Sequence, residues 1–285
     1  MPRPGKFSAN KFFTGFFTIP LISFSFLTPF YRKPATFNCP GTDMIVHMDE
    51  HAQALTAAKR LAGYHAADMI EDGMVVGLGT GSTVYFMIER LSLRVREDKL
   101  SVRGIPTSYQ TAIRAREYGI PLTTLDDHPV IDIAIDGADQ VDPQLRMIKG
   151  RGAAHTREKC VAAAAFRFIV VVDEAKVVPR LGGIVPVEVI PFGVRPAMNQ
   201  LRGLGCLPVI REAVKKDGPV ISDNGNFIVD CKFPEIDDPV DLEASIAAIP
   251  GIVESGLFTG FSQNTTVIVG GEKKCKIISI TDIVP

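Results

Sequence analysis

The chain has little to offer redox, metal or nucleophile chemistry. Its five cysteines, Cys39, Cys160, Cys206, Cys231 and Cys275, are scattered without a C-x-x-C pair. That pattern points to reduced intracellular thiols rather than a disulfide framework or a zinc site. Its five histidines, His47, His51, His65, His128 and His155, show no H-E-x-x-H or similar ligand spacing. His47 and His51 have no acidic or thiol partner to complete a site and read as a solvated helix start. No metal is expected. Charge of one sign is also missing: 31 Lys and Arg stand against 32 Asp and Glu, a net charge of -1. The balance removes any global electrostatic case for nucleic acid or an anionic membrane as partner.

Acidic residues are absent from the first 42 positions. There Arg3, Lys6 and Lys11 precede a Phe-rich stretch, Phe12 to Phe30, broken by Pro20 and Pro29. A stable membrane span wants about 20 mostly apolar residues without such breaks. Residues 1–48 are therefore set apart as an N-terminal extension, either a targeting segment or an untranslated leader upstream of Met44 or Met48. The expected compartment is the cytoplasm, with a plastid or another organelle as the alternative that the extension would decide.

What remains is rich enough for a packed core, with 46% hydrophobic and 22% charged residues in 285. From Asp49 a helical period runs through Ala54, Leu55, Ala58, Leu61 and Ala62 to Met69. Strand and helix signals then alternate. Met74–Leu78, Leu100–Ile105, Pro121–Leu125, Ile131–Ile135, Leu145–Ile148 and Phe168–Val172 read as strands. Helices are predicted over Val84–Leu91 and Tyr109–Tyr118, and from a cap at Thr156 through Ala165. Such alternation predicts a doubly wound, mostly parallel α/β sheet of Rossmann-like type, with ligands beyond the carboxyl ends of its strands. After Gly183 the order becomes β-α-β-β-α-β, a smaller ferredoxin-like α+β unit with Ser222-Asp-Asn-Gly225 as its central turn. The expected division is 49–184 plus 260–285 for the larger domain and 185–259 for the insert.

Three stretches carry chemistry. Gly79-Thr-Gly-Ser-Thr83 turns a strand into a helix, where open backbone, hydroxyls and the helix dipole attract phosphate. It is neither a P-loop, since no G-K-[ST] follows, nor a full G-x-G-x-x-G. Asp136-Gly-Ala-Asp139 places two carboxylates just past an apolar strand, where they can accept from sugar hydroxyls or assist proton movement. Lys149-Gly-Arg-Gly-Ala-Ala-His-Thr-Arg-Glu-Lys159 joins a lysine and open glycine backbone to a glutamate in a helix's first turn. There the dipole is expected to favour the ionised carboxylate, so that Glu158 can accept a proton near neutral pH. Each stretch alone is also what a capped structural turn looks like.

Taken in order, these stretches resemble the A-type ribose-5-phosphate isomerases from about Leu55 to the C-terminus. Val185-Pro-Val-Glu-Val-Ile-Pro191, Ser222-Asp-Asn-Gly-Asn226 and Ile249-Pro-Gly-Ile-Val-Glu254 share the likeness, and the first 48 residues lie outside it. The sequence departs at Gln140, where the family usually carries a glutamate. The resemblance implies a cofactor-free interconversion of ribose 5-phosphate and ribulose 5-phosphate, with Glu158 as the base acting through an enediolate. It implies that Thr80, Gly81, Ser82 and Thr83 bind the phosphate, with Lys59 and Lys176 adding positive charge. It further implies that Asp136, Gly137, Ala138, Asp139 and Lys149 hold the sugar, that Gly150, Arg151 and Gly152 present backbone donors, and that the chain forms a homodimer or homotetramer. Two other classes compete: a sugar-phosphate sensor, for which no helix-turn-helix is present, and a coenzyme A transferase with a glutamate nucleophile.

Overall fold

A computed structural model describes residues 42–280. Most of the N-terminal extension therefore lies outside the described residues. Within the extension, helix α1 (Thr42–Asp68) begins upstream of the Asp49 start expected from periodicity. It leads into β1 (Val75–Leu78), α2 (Ser82–Glu97), β2 (Arg103–Pro106), α3 (Tyr109–Glu117) and β3 (Ile131–Asp136). Two short strands, β4 (Gln140–Val141) and β5 (Met147–Ile148), precede α4 (His155–Ala163) and the long β6 (Ala165–Asp173). The next six elements are β7 (Gly183–Val189), α5 (Val194–Gly203), β8 (Leu207–Ile210), β9 (Phe227–Phe233), α6 (Pro239–Ala247) and β10 (Ile252–Ser255). The chain closes with β11 (Leu257–Phe258), β12 (Thr265–Gly270) and β13 (Cys275–Ser279).

The main sheet has the order β13-β12-β6-β3-β1-β2, with every pair parallel except the edge strand β13 on β12. Its two faces are legible in β6. Ile169 and Val171 face the core shared with Ala62, Ala66, Met87 and Leu91 of α1 and α2. Phe168, Val170 and Val172 face the other core, with Val161 and Ala162 of α4. A strand covered on both faces must be apolar almost throughout, which is why Phe168 to Val172 is an unbroken run. The layers make this an α/β, doubly wound fold.

The second sheet is wholly antiparallel, in the order β10-β7-β9-β8. Val185, Val187 and Val189 of β7 bury against Ala197 and Leu201 of α5 and Ile246 of α6. The order and the two helices are those of the ferredoxin-like β-α-β-β-α-β unit. A third, three-stranded sheet, β11-β5-β4, was not anticipated. It exists because the chain breaks at Gly256, between β10 and β11. A Cβ there would lie 2.1 Å from the Lys149 carbonyl, so only glycine lets the two chains cross. Pro121–Leu125 also departs from expectation, forming only an isolated bridge from Leu122 to Gly104. No helix among the described residues is long and apolar enough to cross a membrane.

Candidate active site

The parallel strands β1, β3, β6 and β12 end together at Leu78, Asp136, Asp173 and Gly270. A cavity of about 780 Å³ opens beside those ends. Its lining contains Lys59, Thr80, Gly81, Ser82, Thr83, Gly137, Ala138, Asp139, Lys149, Gly150, Arg151, Gly152, Glu158 and Lys176. Of the residues singled out from sequence, only Asp136 is absent from the lining, and it sits directly behind Lys149.

Asp136 ends β3 with its carboxylate buried. Oδ1 accepts from the backbone N–H groups of Thr80 at 3.0 Å and Gly137 at 2.7 Å. That approach depends on Gly79, because a Cβ there would stand 2.2 Å from Oδ1. Oδ2 lies 3.1 Å from Lys149 Nζ, and the same nitrogen lies 3.0 Å from Glu158 Oε2 and donates to the Gly137 carbonyl. One buried ammonium therefore holds two buried carboxylates.

The electrostatics differ from the expectation for Glu158. It does fall in the first turn of α4, but burial, not the helix dipole, sets its ionisation. Burial pushes its carboxyl up to about 8, the Asp136 charge adds to the rise, and Lys149 opposes it. Burial likewise raises Asp136 against the pull of Lys149. Lys149 is raised as well: burial works against its charge, but its two carboxylate partners outweigh burial and hold it more firmly protonated than an ordinary lysine. Burial thus lifts the Glu158 carboxyl toward the range where it can exchange a proton near neutral pH.

At the other side of the cavity, α2 starts at Ser82 with Gly81 as its cap and no side-chain cap bond. The first helical bond runs from the Tyr85 N–H to the Gly81 carbonyl, which leaves the N–H groups of Ser82, Thr83 and Val84 for a ligand. Gly81 takes φ +127 to make this turn. Lys59 and Lys176 face the same space, and neither makes an ion pair or hydrogen bond among the described residues. Lys59 reaches it because Gly270 lets α1 settle onto β12: a Cβ at Gly270 would lie 2.2 Å from the Ala58 carbonyl.

Thr80, in the cavity lining, is also tied to its neighbours. Its hydroxyl lies 3.0 Å from Thr107, 2.8 Å from Ser108 and 3.3 Å from Thr111. Its N–H is committed to Asp136. Thr80 therefore shapes the turn, and Ser82 to Val84 are the open donors. Thr156 is not the cap of α4 either. That helix begins at His155 after Ala154, while the Thr156 hydroxyl donates to Glu188 Oε2 at 2.5 Å.

Asp139 accepts from the Arg151 N–H at 2.9 Å, which draws the glycine loop over the cavity. Arg211, at the end of β8, was not foreseen. Its Nη1 donates to the carbonyls of Gly150 and Arg151, both at 3.0 Å. No local signal marks it, since its partners are distant in sequence. Gln140, the departure from the family pattern, donates through its amide to the Gly182 carbonyl at 2.9 Å and accepts from the Gly182 N–H at 3.0 Å. A glutamate could only accept, so the amide suits this pairing better.

A model of the family "Ribose 5-phosphate isomerase A (phosphoriboisomerase A)" matches residues 103–274. The ribose-5-phosphate isomerase A of Methanoregula boonei is 72% identical over 234 residues, covering 82% of this chain and 98% of that protein. The solved ribose 5-phosphate isomerase A of Methanocaldococcus jannaschii is 46% identical with a TM-score of 0.75, covering 78% of this chain and 98% of its own. A D-ribose-5-phosphate isomerase solved in complex with phospho-erythronic acid has the same identity and TM-score, covering 78% of this chain and 97% of its own. On these matches the chain belongs to the ribose 5-phosphate isomerase A family.

Proposed function

We propose that the protein interconverts ribose 5-phosphate and ribulose 5-phosphate by proton transfer at Glu158. The observation that carries this reading is the buried Glu158–Lys149–Asp136 cluster set across a cavity from the open start of α2. Relatives bearing that activity in their names support it.

The chemistry follows from the geometry. The phosphate meets the N–H groups of Ser82, Thr83 and Val84, with Lys59 and Lys176 supplying cationic charge. Binding that remote dianion fixes the open-chain sugar for reaction at its other end. Asp139 and the Asp136–Lys149 pair hold the hydroxyls. The Glu158 carboxylate takes the proton from C2. The C–H electron pair forms the C1–C2 double bond, and the C1 carbonyl electrons move onto O1. Lys149 and the Gly152 N–H stabilise the resulting enediolate oxygens. The proton on the C2 hydroxyl passes to O1, which ends as a hydroxyl, Glu158 returns its own proton to C1, and the C2 oxygen becomes the ketone. Phospho-erythronic acid, found in complex with a relative, supports the reading: by its chemistry it carries a phosphate and a carboxylate, and a carboxylate resembles the two oxygens of an enediolate.

The same reading takes residues 185–259 as an inserted domain and the chain as a homodimer or homotetramer. Ile184, Leu207 and Val209 support the latter, as apolar side chains exposed on the face of the smaller sheet away from α5 and α6. The test of function is ribulose 5-phosphate formation from ribose 5-phosphate by purified, chelator-treated protein. Turnover is expected. Binding without turnover would favour a sensor, and a glutamyl thioester formed with coenzyme A would favour a transferase.

A further inference from the structure

Resting on that reading, we propose that Arg211 is a positioning residue, which orients the Arg151–Gly152 peptide so that the Gly152 N–H serves the enediolate. In a trans peptide the C=O and the N–H of the same unit point in opposite directions. Arg211 Nη1 takes the Arg151 carbonyl at 3.0 Å, and this fixes where the Gly152 N–H points. That N–H has no partner among the described residues, and Gly152 lines the cavity. The preceding peptide is fixed from both ends in the same way. Arg211 and the Ala153 N–H take the Gly150 carbonyl, while Asp139 takes the Arg151 N–H.

The arginine is itself held rigidly. Asp230 grips it in a fork, with Oδ2 2.9 Å from Nε and Oδ1 2.5 Å from Nη2, which turns Nη1 to the loop. Both side chains are largely buried, Arg211 at 17% exposure and Asp230 at 25%. The loop needs such a brace because it is built from two glycines and a left-handed alanine, with Gly150 at φ +108 and Ala153 at φ +60. Left to itself, such a backbone could rotate the Gly152 N–H away. Arg211 is not in the cavity lining, so its influence passes through the loop alone.

The test compares Arg211→Ala, Arg211→Lys and Asp230→Asn with wild type. Losing one oxyanion donor costs about 10²–10³ in kcat, and displacing one costs somewhat less. Arg211→Ala should therefore lose about 10²-fold in kcat with KM for ribose 5-phosphate changed less than about threefold. Affinity for phospho-erythronic acid should fall in step with kcat. Affinity for ribitol 5-phosphate, which keeps the phosphate and hydroxyls but has no carboxylate, should hold. Arg211→Lys keeps the charge but loses the fork, and should show the same split at about tenfold; it also keeps the test open where the alanine variant does not fold. Asp230→Asn should follow the lysine variant. Equal weakening of both ligands, or near-normal kcat in the folded variants, would overturn the proposal. A wild-type protein without turnover would instead sink the isomerase reading.

Discussion

Replacing Asp136 by asparagine should move the pH dependence of the reaction toward acid. Asp136 Oδ2 and Glu158 Oε2 touch the same lysine nitrogen at 3.1 and 3.0 Å, so the two oxygens lie within about 6 Å of each other. Two negative charges at about 6 Å, with an effective dielectric constant of about 20, repel by about 3 kcal/mol. That energy corresponds to about two pH units in the ionisation of Glu158. Asparagine removes the repulsion, and it also leaves Lys149 with a single carboxylate to neutralise. The sign is then fixed. On the proposed mechanism Glu158 must be ionised to take the C2 proton, and burial with the Asp136 charge holds it up at about 8 in the native protein. Wild-type kcat/KM should rise with pH through a limb centred near pH 8. In Asp136→Asn the limb should centre about two pH units lower, near pH 6. Its plateau should also be lower, because a buried partner of Lys149 is lost. The assay is kcat/KM for ribose 5-phosphate across the pH range, with inhibition by inorganic phosphate measured alongside to separate titration of the substrate. A limb that stays near pH 8, or moves upward, would refute the shared-ammonium account.

Two further substitutions probe the cavity's other parts. Lys59→Ala and Lys176→Ala should each raise KM about tenfold with little change in kcat, since each removes one charge-assisted contact to a non-reacting phosphate. Equal KM values at low ionic strength would move the phosphate elsewhere. Gly79→Ala drives a Cβ to 2.2 Å from Asp136 Oδ1 and 2.6 Å from the Ile135 carbonyl. It should destabilise by about 1–3 kcal/mol, read as a lower Tm, and depress kcat as Asp136 is pushed from Lys149. A variant with native Tm and kcat would show that the strand ends can spread.

The parts of this structure legible in the sequence are those written locally. The strand–glycine–helix turn at Gly77 to Thr83 announces itself because the φ and hydrogen-bond demands of such a turn fall on neighbouring residues. The β-α-β-β-α-β order is local in the same sense, each element having its own period. What could not be read depends on partners brought in from afar. Thr156 looks like a helix cap, yet its hydroxyl is drawn to Glu188 on β7, and α4 starts one residue earlier. The Thr80 hydroxyl meets Thr107, Ser108 and Thr111, neighbours that no local pattern announces. Arg211 reads as a charge at a strand end, and its role comes only from the loop folded against it. Glu158 is the sharpest case. Its place in the helix is local and foreseeable, but its ionisation is a property of burial and of Asp136, and it ran opposite to the dipole argument.

The most direct test of the account is the turnover of Glu158→Gln beside wild type at pH 8.5, with phospho-erythronic acid binding measured on both. Glutamine keeps the shape and cannot take a proton. The account predicts retained binding, with kcat lower by about 10³-fold or more, the upper range for a positioned general base. A variant that binds the same ligand and turns over within about tenfold of wild type would mean that another group moves the proton.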